Sequence, residues 1–595
     1  MPMNDVKFLF RCFGSYKRDL VFAAVLIVCE SILELFIPFL MASIIDVGIA
    51  RADVSFILVR GAEMALCAIL ALIFGLGYAR FAARAAMGLG ANLREAEYAQ
   101  IQRYAFPNLD HFEVSSLVTR MTTDVTVIQN AVTVGIRPMV RGPVMLVMGL
   151  VLASLMSAQL AIVFFVVLPL LAVTLVFIIR HVGPLYWLLQ SATDQVNDAI
   201  QENLTAIRAI KAYVRGEYIE QKFAVVNNNL ASTATTTFRC AVLNMPAFQF
   251  SMYASCVLIL YFGGQMILVG TLQVGELTGF MSYVLQIMNS LMMISNVFLL
   301  LARALTSVRR VNEVLDEKPS IKSVPGALKT VRSGSVEFRD VCFKYSSSAR
   351  EDVLEHIFLS FAPGSTIGIL GGTGSGKTSL VQLIPRLYEV SSGSVLVGGH
   401  DVRKYDLVAL RDAVGIVLQS NMLFSGTVRE NLLWGNEKAS DEEILQACHL
   451  ACVDEFLDRI GGLDGDLGQG GVNVSGGQKQ RLCIARTLLK HPKVLIFDDS
   501  TSAVDMTTDA KIRRRLAGIP GITKIIITQR INSIMESDQI VILDNGHVHA
   551  TGTHAELLAH DPIYQELYES QIGSGMPGSP VSVPSAAMVG GDLNA

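Results

Sequence analysis

The sequence predicts a chain of two unlike parts: an all-α polytopic membrane domain of six transmembrane helices, then an α/β domain built around a phosphate-binding loop. Three observations carry this expectation. Of 595 residues, 51% are hydrophobic and only 17% charged, with a mean hydropathy of +0.46, a balance foreign to soluble domains. The apolar residues gather before about residue 310, in uncharged runs on the order of 20 residues, as a bilayer span requires. Beyond that point strand, glycine-loop and helix patterns alternate, as in an α/β sheet. A net charge of −4 gives no global basic field, which argues against nucleic acid as a partner. Hydrophobicity, glycine pattern and length exclude disordered, collagen-like and small secreted classes. The nine cysteines form no Cys-x-x-Cys pair. Cys448 and Cys452 are expected to pack as thiols rather than to bind metal.

The spans follow from the gaps between charges. No charge falls between Arg141 and Arg180, which leaves room for two helices joined at Ser157-Ala158-Gln159. None falls between Arg239 and Glu276, nor from there to Arg303. Two further spans run from about Leu20 to Ile49, with Pro38 as an expected kink, and from about Phe56 to Ala83. Lys7, Arg11, Lys17 and Arg18 precede the first span, and Arg94, Arg103, Arg120, Arg208, Lys211, Arg215 and Lys222 lie in the two long connections. The positive-inside rule therefore expects the N-terminus and second domain to be cytoplasmic; the expected setting is a multi-pass protein in the lipid bilayer of the cell (plasma) membrane. The first apolar run is too long for a cleaved signal peptide. Expected boundaries are 1–318 for the membrane domain with long cytoplasmic helical extensions, 319–334 for a linker, 335–572 for the α/β domain, and 573–595 for a disordered tail rich in Gly, Ser and Pro.

Ser335 to Tyr345 alternates as a strand does and opens the second domain. The apolar strand Ile367–Leu370 runs into Gly371-Gly372-Thr373-Gly374-Ser375-Gly376-Lys377-Thr378, then into a helical stretch from Ser379. Glycines let successive N–H groups curl around phosphate, Lys377 reaches the β/γ-phosphates, and Thr378 can ligate Mg²⁺. Lys493 to Asp498 reads as a buried strand ending in a metal-linked carboxylate. Val474-Ser475-Gly476-Gly477-Gln478 leads into the helix Leu482–Leu489, where Ser475 and the flexible glycine pair would make a second anion cradle. Within the first span Glu30 and Glu34 stand four apart, and intramembrane acids face a cavity or a partner helix. The expectation is either a cation-accepting wall or a structural hydrogen bond. Gln286, Asn289 and Asn296, with Met288, Met292 and Met293, mark the last span, either as a further part of a substrate cavity or, the commoner use of such methionines, as packing.

These motifs together resemble the ATP-binding cassette family, whose signature LSGGQ appears here with Val474 in place of the leading leucine. The six spans ahead of the cassette resemble its exporter branch, multidrug type, over about Phe8 to Ile572. The resemblance implies ATP and Mg²⁺ as cofactors, with Tyr345 stacking on adenine and Gln419 sensing Mg²⁺ from its loop. It also implies Ser502 to Asp505 as a loop at the cassette interface, and Phe112–Asp124 and Ile207–Phe223 as the connections bearing short coupling helices.

The sequence departs from that family in one reaction centre. Where active members place a glutamate after the metal-binding aspartate, this chain has Asp499; where they place a switch histidine, it has Gln529. The shorter carboxylate withdraws by roughly 1.5 Å, and a misplacement near 1 Å can cost about 100-fold. Gln cannot carry imidazole's charge. Gln469 also replaces a frequent glutamate. The resemblance implies cassettes dimerising head to tail, so this chain is expected to supply a degenerate ATP site to a heterodimer whose other half-transporter carries the catalytic Glu and His. The expected function is ATP-driven export of amphipathic small molecules or lipids by a translocase with low hydrolysis at its own site. The alternatives are an ATP-gated regulatory or channel-like membrane protein, or an importer built on the exporter fold.

Overall fold

Each uncharged run folds as helix, because in lipid every backbone group must be satisfied within its own segment. The computed structural model describes residues 3–346, 349–499 and 505–572, apart from the side chains of 3–6, 295, 296, 298–300, 302 and 303. The chain divides into two compact units, Met1–Gln102 with Val114–Glu317, and Arg103–Glu113 with the chain from Lys318 onward.

In the first unit, six helices among the described residues are long and apolar enough to cross a membrane: Gly14–Ile49, Val54–Ile101, Val114–Met156, Ala158–Thr205, Gly216–Val269 and Val274–Ile294. The break expected at Ser157-Ala158-Gln159 is a single residue, Ser157, whose hydroxyl accepts from the Leu160 N–H at 3.4 Å. Gly270 ends the fifth span at φ +78°, a conformation glycine adopts freely. Glu276 then returns to the Gln273 N–H at 3.0 Å to start the sixth. Pro38 does not interrupt its helix; Lys17–Ser43 runs through it into a π-helical turn at Ile44–Ile49. The first span packs on the second, third and sixth, and the fourth on the fifth. Fully buried Phe164 and Phe280 stack at 5.6 Å, and the Tyr283 hydroxyl donates to the Leu35 carbonyl at 2.9 Å.

The second unit is an α/β domain with two sheets. Strands β1 (Val336–Phe343), β2 (Leu354–Phe361), β4 (Ser392–Val397) and β5 (His400–Asp401) form one, in the order β2-β1-β4-β5. The alternation read at Ser335–Tyr345 breaks at a bulge between Phe338 and Val341, where Asp340 takes φ +50°. The larger sheet has the order β10-β9-β3-β8-β7-β6, from β3 (Thr366–Gly371), β6 (Val414–Val417), β7 (Val494–Asp498), β8 (Thr523–Ile527), β9 (Gln539–Asp544) and β10 (His547–Gly552). Strands β6, β7, β8, β3 and β9 run parallel, and every residue of β7 and β8 is buried. Burial on both faces explains why those strands read as continuous apolar runs. Cys448 and Cys452 are fully buried thiols in the core beside β7. The tail 573–595 lies outside the described residues.

One boundary differs from expectation. Arg103–Glu113 belongs with the α/β unit, whereas Val114–Asp124, most of the segment expected to bear the first coupling helix, belongs with the membrane unit. Two short helices stand here: Phe106–His111, with Pro107 in its first turn, in the α/β unit, and Val114–Thr119, inside the expected segment, in the membrane unit. Buried Asn108 donates to the Lys318 carbonyl at 3.0 Å and accepts from the Ser320 N–H at 2.9 Å. Phe106 meets the Tyr388 ring edge-on at 5.8 Å, and the Tyr388 hydroxyl donates to Asp110 at 2.7 Å. The second connection carries its short helix where expected, at Ile207–Ala212, followed by exposed Tyr213 and Val214.

Candidate functional site

Parallel pairing brings the carboxyl ends of β3, β7, β8 and β6 to one edge of the sheet, where α/β domains bind ligands. From β3 the chain enters the glycine loop: Gly374 and Gly376 take φ +82° and +91°, and the open side of Gly372 has no atom within 4 Å of a Cβ position. Gly372, Thr373 and Gly374 are exposed, while Ser375, Gly376, Lys377 and Ser379 are buried. Lys377 begins the following helix, Lys377–Gln382, and its Nζ donates to the carbonyls of Gly371 at 2.9 Å and Gly372 at 2.5 Å. The ammonium is thus held along the loop's inner wall.

Asp498 ends β7, only 2% exposed, and its Oδ1 accepts from the Thr378 hydroxyl at 2.8 Å. Burial raises the carboxyl's pKa and outweighs the Thr378 hydrogen bond and Lys377, which lower it. Burial likewise lowers the Lys377 ammonium's pKa, against the pull of Asp499 and Asp498. Such a site is completed by a polyanion for the lysine and a hard cation for the carboxylate. The hydroxyl and carboxylate oxygens of Thr378 and Asp498 are the donors Mg²⁺ prefers.

Asp499 is half-buried and takes φ +45°, in the left-handed region Asp tolerates better than most residues. Its N–H donates to the Ile527 carbonyl at 3.1 Å, which ties the end of β7 to the end of β8. Burial raises its pKa too, opposed by Lys377 and Arg530. Two residues beyond Ile527, Gln529 is exposed, and its carbonyl accepts from Gln571 at 2.7 Å. Asp499 and Gln529 therefore share the strand edge that holds Lys377 and Asp498. Gln419 is exposed in the bend after β6 and makes no hydrogen bond among the described residues. Tyr345 lies beside the loop helix, its hydroxyl 2.8 Å from Ser379 Oγ and its ring edge-on to Tyr388 at 5.1 Å.

The signature is a capping box. Ser475 Oγ accepts from the Gln478 N–H at 3.4 Å, and Gln478 Oε1 accepts from the Ser475 N–H at 2.8 Å. The helix starts at Gly476 and runs to Leu488, so Gly476 and Gly477 are its first turn rather than a flexible lead. Without side chains, and with Ser475 and Gly476 exposed, this N-terminus presents bare N–H groups. Asp505 caps the helix Met506–Ala517 through the Thr508 N–H at 2.9 Å; Ser502 to Val504 lie outside the described residues.

Glu30 and Glu34 are hydrogen-bonded to another helix, the second of the two roles expected of them; the arginine partners were not named from the sequence. Arg137 Nη2 donates to Glu30 Oε1 at 2.6 Å, Arg141 Nη1 to the same oxygen at 3.2 Å, and Arg141 Nη2 to Glu34. The signal was available: acids at i, i+4 on one span and arginines at i, i+4 on another. On the sixth span Gln286 is half-buried, Asn289 exposed, and Met288 packed in the core; the Asn296 side chain lies outside the described residues.

Residues 20–291 match the family described as "ABC transporter transmembrane region", and residues 354–502 the family "ABC transporter". The chain is 37% identical to the uncharacterized ABC transporter ATP-binding protein YfiB of Bacillus subtilis (strain 168), over 93% of this chain and 96% of that one. It is 30% identical to YfiC of the same organism, over 96% and 95%. A bacterial Atm1-family ABC exporter solved with ATP bound shares the fold, with a TM-score of 0.79 at 23% identity, over 95% of this chain and all of that one.

Proposed function

The chain belongs to the ABC transporter family, and from that premise we propose that it drives export of amphipathic small molecules or lipids across the plasma membrane as one half of a heterodimer, contributing the degenerate ATP site. The family and the exporter-type fold support an ATP-driven transporter. The pairing rests on one observation: Asp499 follows β7 and Gln529 follows the adjacent β8, at the strand edge that carries Lys377 and Asp498, while the signature turn is intact.

In this reading ATP supplies the triphosphate and Mg²⁺ its counter-charge. Backbone N–H groups of Gly372 to Thr378 would cradle the phosphates, Lys377 would neutralise the β/γ-phosphates, and Thr378, Asp498 and Gln419 would hold the metal. Tyr345 offers its ring to adenine. Asp499 holds its carboxylate about one C–C bond too far back to orient the attacking water, and Gln529 donates a hydrogen bond without a charge. Ser475, with Gly476, Gly477 and Gln478, faces the partner's nucleotide, where bare N–H groups stabilise the charge that develops on the γ-phosphate.

ATPase activity of the assembled pair tests this division. Asp499→Asn is expected to keep most of the activity, and Ser475→Arg to remove at least about tenfold by blocking the partner's competent site. Equal losses from the two substitutions would favour two equivalent sites and sink the heterodimer reading.

A further inference from the structure

The ion-pair cluster in the membrane unit is organised from the inside outward. Glu30 is 4% exposed and lies against the second span where Gly75 leaves room; a Cβ there would stand 3.4 Å from Glu30 Oε1. Both arginines donate to that one oxygen, and Oε2 has no hydrogen-bond partner among the described residues. Arg141 divides its guanidinium between Glu30 and Glu34 and is 18% exposed. Arg137 differs. Its side chain is 43% exposed, a single N–H donation goes to Glu30, and its guanidinium lies over the Tyr78 ring at 5.7 Å. Tyr78 is itself anchored by its hydroxyl to the Thr133 carbonyl at 3.3 Å.

A guanidinium exposed to this extent cannot face hydrocarbon cheaply, so it belongs on a wet cavity wall. The charge presented there is positive: the carboxylate that neutralises Arg137 is buried behind it, Nε is buried without a hydrogen-bond partner among the described residues, and the donors left to an outside acceptor are those of Nη1 and the second hydrogen of Nη2, the end-on edge of the guanidinium. One turn back on the same helix face, Val134 is 60% exposed and offers apolar surface. We infer that Arg137, backed by Glu30 and Arg141, is an anion-binding site that takes the carboxylate or phosphate head of an amphiphile. Of the two roles open to the acids, Glu30 takes the structural one, holding the arginines rather than receiving a cationic ligand. Glu34 competes with the ligand for Arg141. The inference rests on the transport reading for the cavity's role and adds the charge of the cargo.

The test is ligand binding without nucleotide, on the full chain in its native assembly in phosphatidylcholine nanodiscs. The probes are dansyl-undecanoate and the matching alkyl phosphate, trimethylammonium and alcohol. One or both anions should bind at least about tenfold tighter than the ammonium, and whichever does so names the head group. Arg137→Gln should weaken anion binding about tenfold and spare the alcohol, with Arg137→Lys in between. Glu34→Gln should tighten anion binding, a gain that misfolding cannot produce. Equal binding of the ammonium, or an anion Kd unmoved by both Arg137→Gln and Glu34→Gln, overturns the inference. ATP-driven movement of the probe is measured separately in vesicles. Anion binding that depends on Arg137 without ATP-driven movement upholds this site and defeats the export reading; ATP-driven movement of the alcohol or ammonium without anion binding does the reverse.

Discussion

At Lys377 one ammonium satisfies two loop carbonyls and stands close to two carboxylates, Asp498 and Asp499. Removing it leaves the loop without its only long cation, so Lys377→Ala should weaken binding of a fluorescent ATP analogue at least about 100-fold, measured by titration of the purified protein. A loss of less than a few-fold would take Lys377 out of the phosphate site. A second residue-scale outcome concerns Cys448, whose thiol is pushed up to about 12 chiefly by burial. With a raised pKa the reactive thiolate is scarce below that value: at pH 8 it is about one part in ten thousand, and the side chain is also shielded. Maleimide at pH 8 should therefore leave Cys448 unmodified until denaturant is added, as peptide mass spectrometry would record. Rapid native labelling would show that the helical core around it opens readily. Both residues were legible in the sequence, Lys377 through its motif and Cys448 through its apolar setting. Arg137 and Arg141 were not. They close the third span's cytoplasmic flank on a linear reading, and only packing against the first span shows what they pair with.

Among the elements, the short helix Phe106–His111 depends on a few contacts within its own unit. Burial, helped by the Asp110 carboxylate, pushes the Tyr388 hydroxyl's pKa up, so it stays protonated and donates. The same ring touches Tyr345, so the helix and the aromatic beside the glycine loop share one neighbour. Tyr388→Phe keeps the ring and removes the hydrogen bond, at a cost of about 1 kcal/mol. The expected result is faster hydrogen exchange over residues 106–111 and weaker stimulation of ATPase by transported substrate, with ATP binding retained. Unchanged exchange there would mean that Asn108 and Phe106 hold the helix without Tyr388. The sequence reading expected a coupling helix within Phe112–Asp124, where Val114–Thr119 lies, and did not single out Phe106–His111, because it weighed helix-compatible stretches. The decisive signals are local: Pro107 in a first turn, and an Asn able to bond backbone on both sides.

For the whole molecule the Lys/Arg bias makes a topological claim that labelling can check. In intact cells carrying otherwise cysteine-free protein, Ser157→Cys should react with a membrane-impermeant maleimide from outside, and Lys211→Cys only after permeabilisation. The opposite pattern would invert the orientation and with it the cytoplasmic placement of the ATP site. The six spans, the α/β domain and the nucleotide motifs were determined by the sequence itself, because each rests on local physics: span length, strand periodicity, and glycines before Lys377-Thr378. Tertiary structure alone decided what depends on distant segments meeting. Parallel pairing of β7 with β8 sets Asp499 beside the strand that leads to Gln529. Packing of Arg103–Glu113 with the α/β unit assigns it there despite its place in the chain. Between the two roles left open for Glu30 and Glu34, a wall for cations or a structural hydrogen bond, packing decided: buried Glu30 and half-buried Glu34 anchor two arginines, because the energy of a charge in the membrane is set by its neighbours in space.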